Sequence, residues 1–495
     1  MIMKSKTKNK KTRKKAVLII LSVILCLIII ALSVIGIINS KYEYDPIGVS
    51  NTLSQGETGV LNINYNGADG MPENEQITYS KLETVTLPTL TKKGYHFAGW
   101  RVNWLHVGNE IKLNSKTANA RAQFEKDYTA ISSPCAVYTN ELEYKELSSG
   151  KYESINLEAT DMFVDGGYKV KVYSKENFEG EEIAVYYSGM FSGFIGSMEI
   201  IPVESNATEI KSLTDDVKLS FLEKYAPRIW WDKDEEFFSS TIENADKNME
   251  KALTPYGYAY YIKELDSPEY MNEYLHGDLE NSKAYAFAVE KEFKYLDLSY
   301  FVFTPYNKAK VVAGIQFGNH IGDWEHLTVR LMKENEGNKT YYRPVLVDYS
   351  AHSFRNYVSW DEIETVDETH PVAYTAQGSH GMWKDGGSHV YVDAKIIKLT
   401  DECSEGTAWD LWQKDQMETY SYDALSNTGK GIGASKWNSA FDLNYCDENG
   451  AITRWGNTGW RPQIQIYPRL QSGPGGPQQK DCITNYYVMN NKNIY

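Results

Sequence analysis

Between Phe317 and Leu331 the chain reads FGNHIGDWEHLTVRL, and from Asp323 the alternation is strict: Asp323, Glu325, Leu327, Val329, Leu331. In a strand, every second residue shares a face, so these five lie together, and the three aliphatic residues turn that face inward. Trp324, His326 and Thr328 fall on the opposite pleat, so His326 is expected to point away from the carboxylates. Such a strand needs a sheet with a covered face. It also leaves two acids at the mouth of an apolar surface, with His320 just before them across a Gly322 turn. An unpaired buried charge is very costly. These carboxylates therefore need hydrogen bonds, a cationic side chain or a bound metal ion.

The neighbouring sequence supplies candidates for that company. Six of the nine histidines fall between 320 and 389. His380 sits in GSHG just after a predicted strand, Val372–Ala376, and its small neighbours leave room for a ligand. The proposed set is His320, Asp323, Glu325 and His380. Mixed imidazole and carboxylate donors suit Mg²⁺, Mn²⁺ or Ca²⁺ completed by water, with Zn²⁺ as the alternative. The competing reading is that Asp323 and Glu325 accept backbone N–H or Arg hydrogen bonds at a strand entrance. His352 reads as a structural histidine.

The rest of residues 211–485 reads as one strand-dominated domain. Thr214 is placed to cap a helix carrying Asp215 and Asp216 in its first turn. Ser240 is placed to cap another through about Leu253, and Pro268 to open a third near 268–275. Strands are expected at Ala284–Val289 and Tyr295–Phe303. The fold class is therefore mainly β: a β-sandwich with short flanking helices.

Two smaller all-β modules precede it. In residues 58–127, Leu61–Tyr65, Val85–Leu87 and Ala120–Phe124 read as strands, with a turn at Lys92–Gly94. The segments LNINYNG, VTLPTLTKKGYHFAGW and ARAQFE resemble the internalin-type B repeat, a stalk module of bacterial surface proteins. In residues 133–203, VYSKENFEGEEIAVYYSG followed by GSMEII resembles a βγ-crystallin motif, with Tyr173, Phe178, Gly180 and Ser197 at its marker positions. Calcium variants of that family carry acidic or amide residues where this chain has Ser192 and Gly193, so no calcium is expected there.

At the amino end, Ala16–Ile38 is an uncharged apolar run of 23 residues, long enough to cross a bilayer as a helix. Residues 1–15 carry eight Lys/Arg and no acid, which places them in the cytoplasm and the bulk outside. Residues 39–57 read as a linker. The expectation is a single-pass cell-membrane protein. A cleaved signal peptide is the alternative, though its apolar core is normally shorter. Beyond residue 15 the chain holds 43 basic against 66 acidic residues, which argues against a nucleic-acid partner. Of five cysteines, Cys26 lies in the apolar run and no CxxC pair exists. Neither a zinc framework nor a disulfide scaffold is indicated.

In residues 213–482, the segments KYAPRIWWDKDEEFFSS, FVFTPYNKAK, FGNHIGDWEHLTVRL, YSAHS, HPVAYTAQGSHGMW, RWG and SGPGGP resemble, in order, the vacuolar protein sorting-associated protein sixty-two family. A more distant resemblance is to the necrosis- and ethylene-inducing-peptide-like proteins, β-sandwich cytolysins with a GHRHDWE heptad. There His, Asp and Glu hold a divalent cation used to engage sphingolipid headgroups. That resemblance implies His320, Asp323 and Glu325 as ligands. Asn307 stands nearest to a further ligand Asp, and Gly322 replaces the heptad's second histidine. The function this implies is a membrane-anchored bacterial surface protein presenting a metal-dependent domain for glycan or lipid headgroups. Trp324, Trp360 and Trp383 are candidates for contacts near it. With no G-x-S-x-G, HExxH or P-loop, binding is favoured over catalysis. The alternatives are a metal-dependent hydrolase, with His352 or Glu325 as base, and an adhesion protein braced by the metal.

Overall fold

The computed structural model describes residues 53–102, 105–254, 257–262, 273–292, 294–308, 310–312, 315–352, 354–393, 398–441, 453–456, 464–465 and 473–487. The basic tail and the apolar run 16–38 lie outside these residues, as do Cys26 and Cys446. Among the described residues no helix is long and apolar enough to cross a membrane.

The alternation from Asp323 becomes part of a strand of 17 residues, His320–Glu336. It pairs antiparallel with Tyr295–Asn307 on one side and Lys339–Ala351 on the other. Gly322 is a kink inside this strand and not a turn before it. Its φ is +69°, and a Cβ there would meet the Trp455 carbonyl oxygen at 2.4 Å. Pro305, which has no N–H to give to a ladder, falls at the skipped position of the partner strand.

The sheet has eight strands. Its main path runs Thr208–Ile210, Lys339–Ala351, His320–Glu336, Tyr295–Asn307, Ala284–Lys291, Met417–Asp423, Thr428–Gly431, and Phe354–Ser359 joins at Lys339–Ala351. A second sheet contains Thr365–Val366, His370–Thr375, Arg228–Trp231 and Thr407–Asp410, with Met382–Trp383 beside His370–Thr375. Leu327, Val329 and Leu331 meet Ile229, Trp231, Ala373 and Trp409 between the two sheets, with Phe221 and Leu222 of the helix Asp215–Lys224. The opposite pleat is also covered. Trp324, Phe301, Phe303 and Phe287 pack with Ile242 and Ala245 of a short helix and with Phe441, Trp455 and Ile483. A sheet buried on both faces explains why Tyr295–Asn307 carries apolar residues on both of its pleats.

The Thr214 cap is present, its hydroxyl accepting from the Val217 N–H. The next helix departs from expectation. It is capped by Thr241, covers only Ile242–Asn248, and gives way to a strand, Met249–Thr254, that pairs with Gly257–Ile262. Tertiary pairing here overrides local helix preference. Most of the third expected helix, 268–275, lies outside the described residues.

Residues 58–126 form a five-stranded sheet ordered Asn74–Ser80, Thr58–Asn64, Thr117–Lys126, Tyr95–Val102, Leu105–Val107. Leu61, Ile63, Trp100 and Val102 are in its core. Residues 135–202 share one core between their two halves, with Cys135, Val137 and Leu147 against Val170, Val172 and Met198. Tyr173 meets Phe178 edge to face, and the Ser197 hydroxyl accepts from Phe178 N and donates to Lys175 O. This second module packs on the large domain. Tyr138 and Phe163 join Tyr295, Met332 and Tyr357 in one cluster, and Lys169 bridges Asp361 and Glu362. Cys135, Cys403 and Cys482 are buried.

Candidate functional site

Asp323 and Glu325 are almost fully buried, at 4% and 6% exposure. The register sets Asp323 opposite Thr304, Glu325 opposite Val302 and His320 opposite Asn307. The loop after His370–Thr375 then brings in His380, which has no exposed surface and a left-handed backbone, φ +58°. Its Nδ1 lies 3.1 Å from Asp323 Oδ2 and 3.1 Å from Thr304 Oγ1. Its Nε2 is 3.8 Å from Glu235 Oε2. His380 thus sits between two acids from distant parts of the chain, with the Trp231 ring edge-on to it.

Glu235 is the member that sequence reasoning missed. It follows the Arg228–Trp231 strand and accepts N–H bonds from Gly378 (2.7 Å), Phe237 (2.8 Å) and Glu236 (2.9 Å). Burial works against its charge, yet His380 and these N–H donors hold its carboxyl below the ordinary range. Burial likewise opposes the charge on His380, but Glu235 and Asp323 prevail and raise it to about 10. Asp323 is kept low against its burial by His380, His320 and Lys480. Glu325 goes the other way. Burial and the charge of Asp323 push its carboxyl well above the usual range, while Ser350 Oγ donates to its Oε2 at 2.7 Å. Two adjacent buried carboxylates cannot both ionise freely.

The remaining candidates are placed as follows. His320 is half-buried, and its Nδ1 donates to Gly322 O at 2.7 Å, which leaves Nε2 as the lone-pair nitrogen of the neutral ring. Asn307 presents its amide nitrogen, not its oxygen, to Asp323 Oδ2 at 3.2 Å. An aspartate there would repel Asp323, whereas the amide supports it. His326 stacks on Phe301 on the opposite pleat, as expected. His352 bonds Asp401 Oδ2 through Nε2 at 2.9 Å and stacks on Tyr391. Asp401 has no exposed surface and also accepts from Ser379 Oγ and Trp383 Nε1. It therefore fastens the loop that carries His380. Trp324 and Trp360 are core residues, and of the three tryptophans only Trp383 reaches solvent.

A divalent ion is implied by the resemblance of the GDWEH stretch. Among the described residues no three His, Cys, Asp or Glu side chains stand grouped as ion ligands. The carboxylates of Asp323 and Glu325 suit a hard cation, and the His320 imidazole a borderline one such as Zn²⁺. Burial first, and then the charge of Asp323, hold the Glu325 carboxyl up, so a cation bound there would favour its ionised form. His380 spans Asp323 and Glu235 as a counter-charge.

A model of the family described as Vacuolar protein sorting-associated protein 62 matches residues 257–400, a segment holding Asn307, His320, Asp323, Glu325 and His380 but not Glu235. The chain is 25% identical over 231 residues to Vacuolar protein sorting-associated protein 62 of Saccharomyces cerevisiae, covering 42% of this chain and 46% of that protein. It is 29% identical over 169 residues to vacuolar protein sorting-associated protein TDA6 of the same yeast, covering 31% and 34%. The chain thus spans less than half the length of these curated relatives. Among solved structures it is similar to one titled "Toxin fold for microbial attack and plant defense" (TM-score 0.24, 14% identity, 44% of this chain and 78% of that one). It is also similar to "NLPPya in complex with mannosamine" (TM-score 0.24, 12% identity, 50% and 93%).

Proposed function

We propose that the large domain is a divalent-cation-dependent binding module for oxygen-rich headgroups, of a glycan or a lipid, carried on a membrane-anchored surface protein. The observation that carries this reading is the burial of two carboxylates two residues apart on one strand face, with His320 at its start. Asp323, Glu325 and His320 would hold the ion, which when bound would supply a Lewis-acidic contact for hydroxyl or phosphate oxygens. His380, Asn307 and Thr304 then serve as supports. His380 and Asn307 bond one oxygen of Asp323, and Thr304 bonds His380, the kind of outer-layer hydrogen bonding that orients metal-ligating carboxylates.

The reading extends to the rest of the chain. The apolar run 16–38 is taken as the anchor, with the amino terminus cytoplasmic. The resemblance of residues 58–127 to an internalin-type B repeat supports a bacterial cell surface as its setting. The test uses the full chain in detergent, screened against a glycan array and against liposomes of varied headgroup, with Mn²⁺ or Ca²⁺ and again with EDTA. The expected result is a ligand retained only with metal and lost in Asp323→Asn. Binding that ignores EDTA would reject the metal, and no retention on any surface would reject the module's proposed role.

A further inference from the structure

A second gathering of ionisable groups, half-buried around the fully buried Lys291, lies where the last described residues meet both the first module and the large domain. The helix Asp481–Thr484 and residues 485–487 form a short strap. Arg101 Nη2 of the first module donates to both oxygens of Asp481, at 3.1 and 3.0 Å. The His96 ring stacks on Tyr487 with centroids 4.8 Å apart. Asn485 Nδ2 donates to Glu125 Oε1 at 3.3 Å. From the large domain, Lys291 Nζ donates to the Asn485 carbonyl at 2.6 Å and reaches that of Asp481 at 3.4 Å. Cys482 and Ile483 seal the strap into the core of the opposite pleat.

The charges around this strap do not balance. Glu125 faces Asp481, Asn485, Glu292 and Arg101. Glu292, at a left-handed φ of +50°, faces Arg330, Lys294, Asp297 and Lys291. Arg330 is already committed to Asp297 at 2.7 Å, and Lys294 to Asp165 at 2.8 Å. Among the described residues, three carboxyls, Glu125, Glu292 and Asp481, are therefore left with two cations, Arg101 and Lys291. A proton is the simplest way to settle the difference.

We infer that residues 481–487 are a proton-operated strap: with Glu125 and Glu292 protonated it clamps the first module to the large domain, and their ionisation loosens it. Burial, with Asp481 nearby, raises the Glu125 carboxyl to about 8, and burial raises Glu292 to about 7. A carboxyl whose docked pKa lies above its ordinary value favours docking fully below about 4.5. That contribution is lost as the pH rises through the docked value. Lys291, lowered by burial to about 8, acts in the opposite sense only above that pH, so the window is about 4.5 to 8. The inference does not depend on the cation site.

Hydrogen exchange of the full chain in detergent, normalised to unstructured-peptide rates at each pH, tests it. The reporting amides are those of Ile483 and Thr484, bonded to Lys480 O, and of Asn485, bonded to Asp481 O. One linked proton shifts an opening equilibrium about tenfold per pH unit. Protection of the peptide spanning the strap is expected to fall at least tenfold between pH 5.5 and 7.5, while Tyr295–Phe303 stays constant. Glu125→Gln with Glu292→Gln is expected to keep the strap protected at both pH values. A flat profile in the parent chain overturns the inference, and so does a folded variant with the parent's pH dependence. Should the variant not fold, the parent's profile alone decides.

Discussion

Replacing His380 with alanine removes the charge between Asp323 and Glu235, and the structure sets the size of the effect. Breaking a buried ion pair by deleting one partner typically costs about 3–5 kcal/mol. Three features place the loss near the lower end, about 3 kcal/mol. Asp323 keeps the Asn307 amide donor, and Glu235 keeps its backbone N–H donors. The left-handed backbone at 380 strains histidine and alanine alike, so that cost largely cancels. Urea unfolding in EDTA, followed by the chain's tryptophan fluorescence, measures the loss.

Its pH dependence follows from the shifts. His380 has a folded value of about 10, above the ordinary 6.5, so its contribution is fully present below about pH 6.5 and fades as the pH rises toward 10. Asp323 and Glu235 are lowered, so their contribution is lost in acid. The cost of His380→Ala is thus expected to peak near pH 5–6.5 and to shrink by pH 9. A cost below about 1 kcal/mol at pH 6, or one that does not shrink by pH 9, refutes the counter-charge role.

Other outcomes follow from the same packing. Leu327→Ala removes a fully buried side chain between the two sheets and should cost about 2–5 kcal/mol in the same unfolding assay. Asp323→Asn should let Glu325 ionise at lower pH, since the neighbouring charge that suppresses it is gone; the carboxyl stretch in difference infrared spectra should show the change. Thr214→Ala deletes a helix cap and should cost about 0.5–2 kcal/mol. Gly322→Ala should destabilise more than Gly337→Ala: both glycines have positive φ, but a Cβ at 322 would strike the Trp455 carbonyl, while at 337 it meets nothing.

The sequence pattern around Asp323 was readable because a two-residue period leaves little freedom: one face had to hold both acids and the three aliphatic residues, and His326 had to leave it. His380 was legible for its proximity, through GSHG, but not for its role. That role depends on Glu235, which sits in an acidic stretch, DKDEE, indistinguishable from a solvated turn until the Gly378 amide reaches it. Lys480, whose charge acts on both carboxylates, comes from a loop-rich tail with no periodicity to read. The helix expected through Leu253 failed for a similar reason. A good cap and a tolerant composition carried the pattern past Asn248, where pairing with Gly257–Ile262 takes over. The second small module docks against Tyr295 and Met332, through surfaces whose residues look ordinary in isolation.

The proposed cation site of Asp323 and Glu325 fixes a binding stoichiometry. Equilibrium dialysis of the full chain with Mn²⁺, Ca²⁺ and Mg²⁺ in turn, beside Asp323→Asn with Glu325→Gln, tests it most directly. The account predicts about one ion per chain for at least one of these metals, absent in the folded double variant. No ion on the parent chain, or an equal amount on the variant, would contradict it.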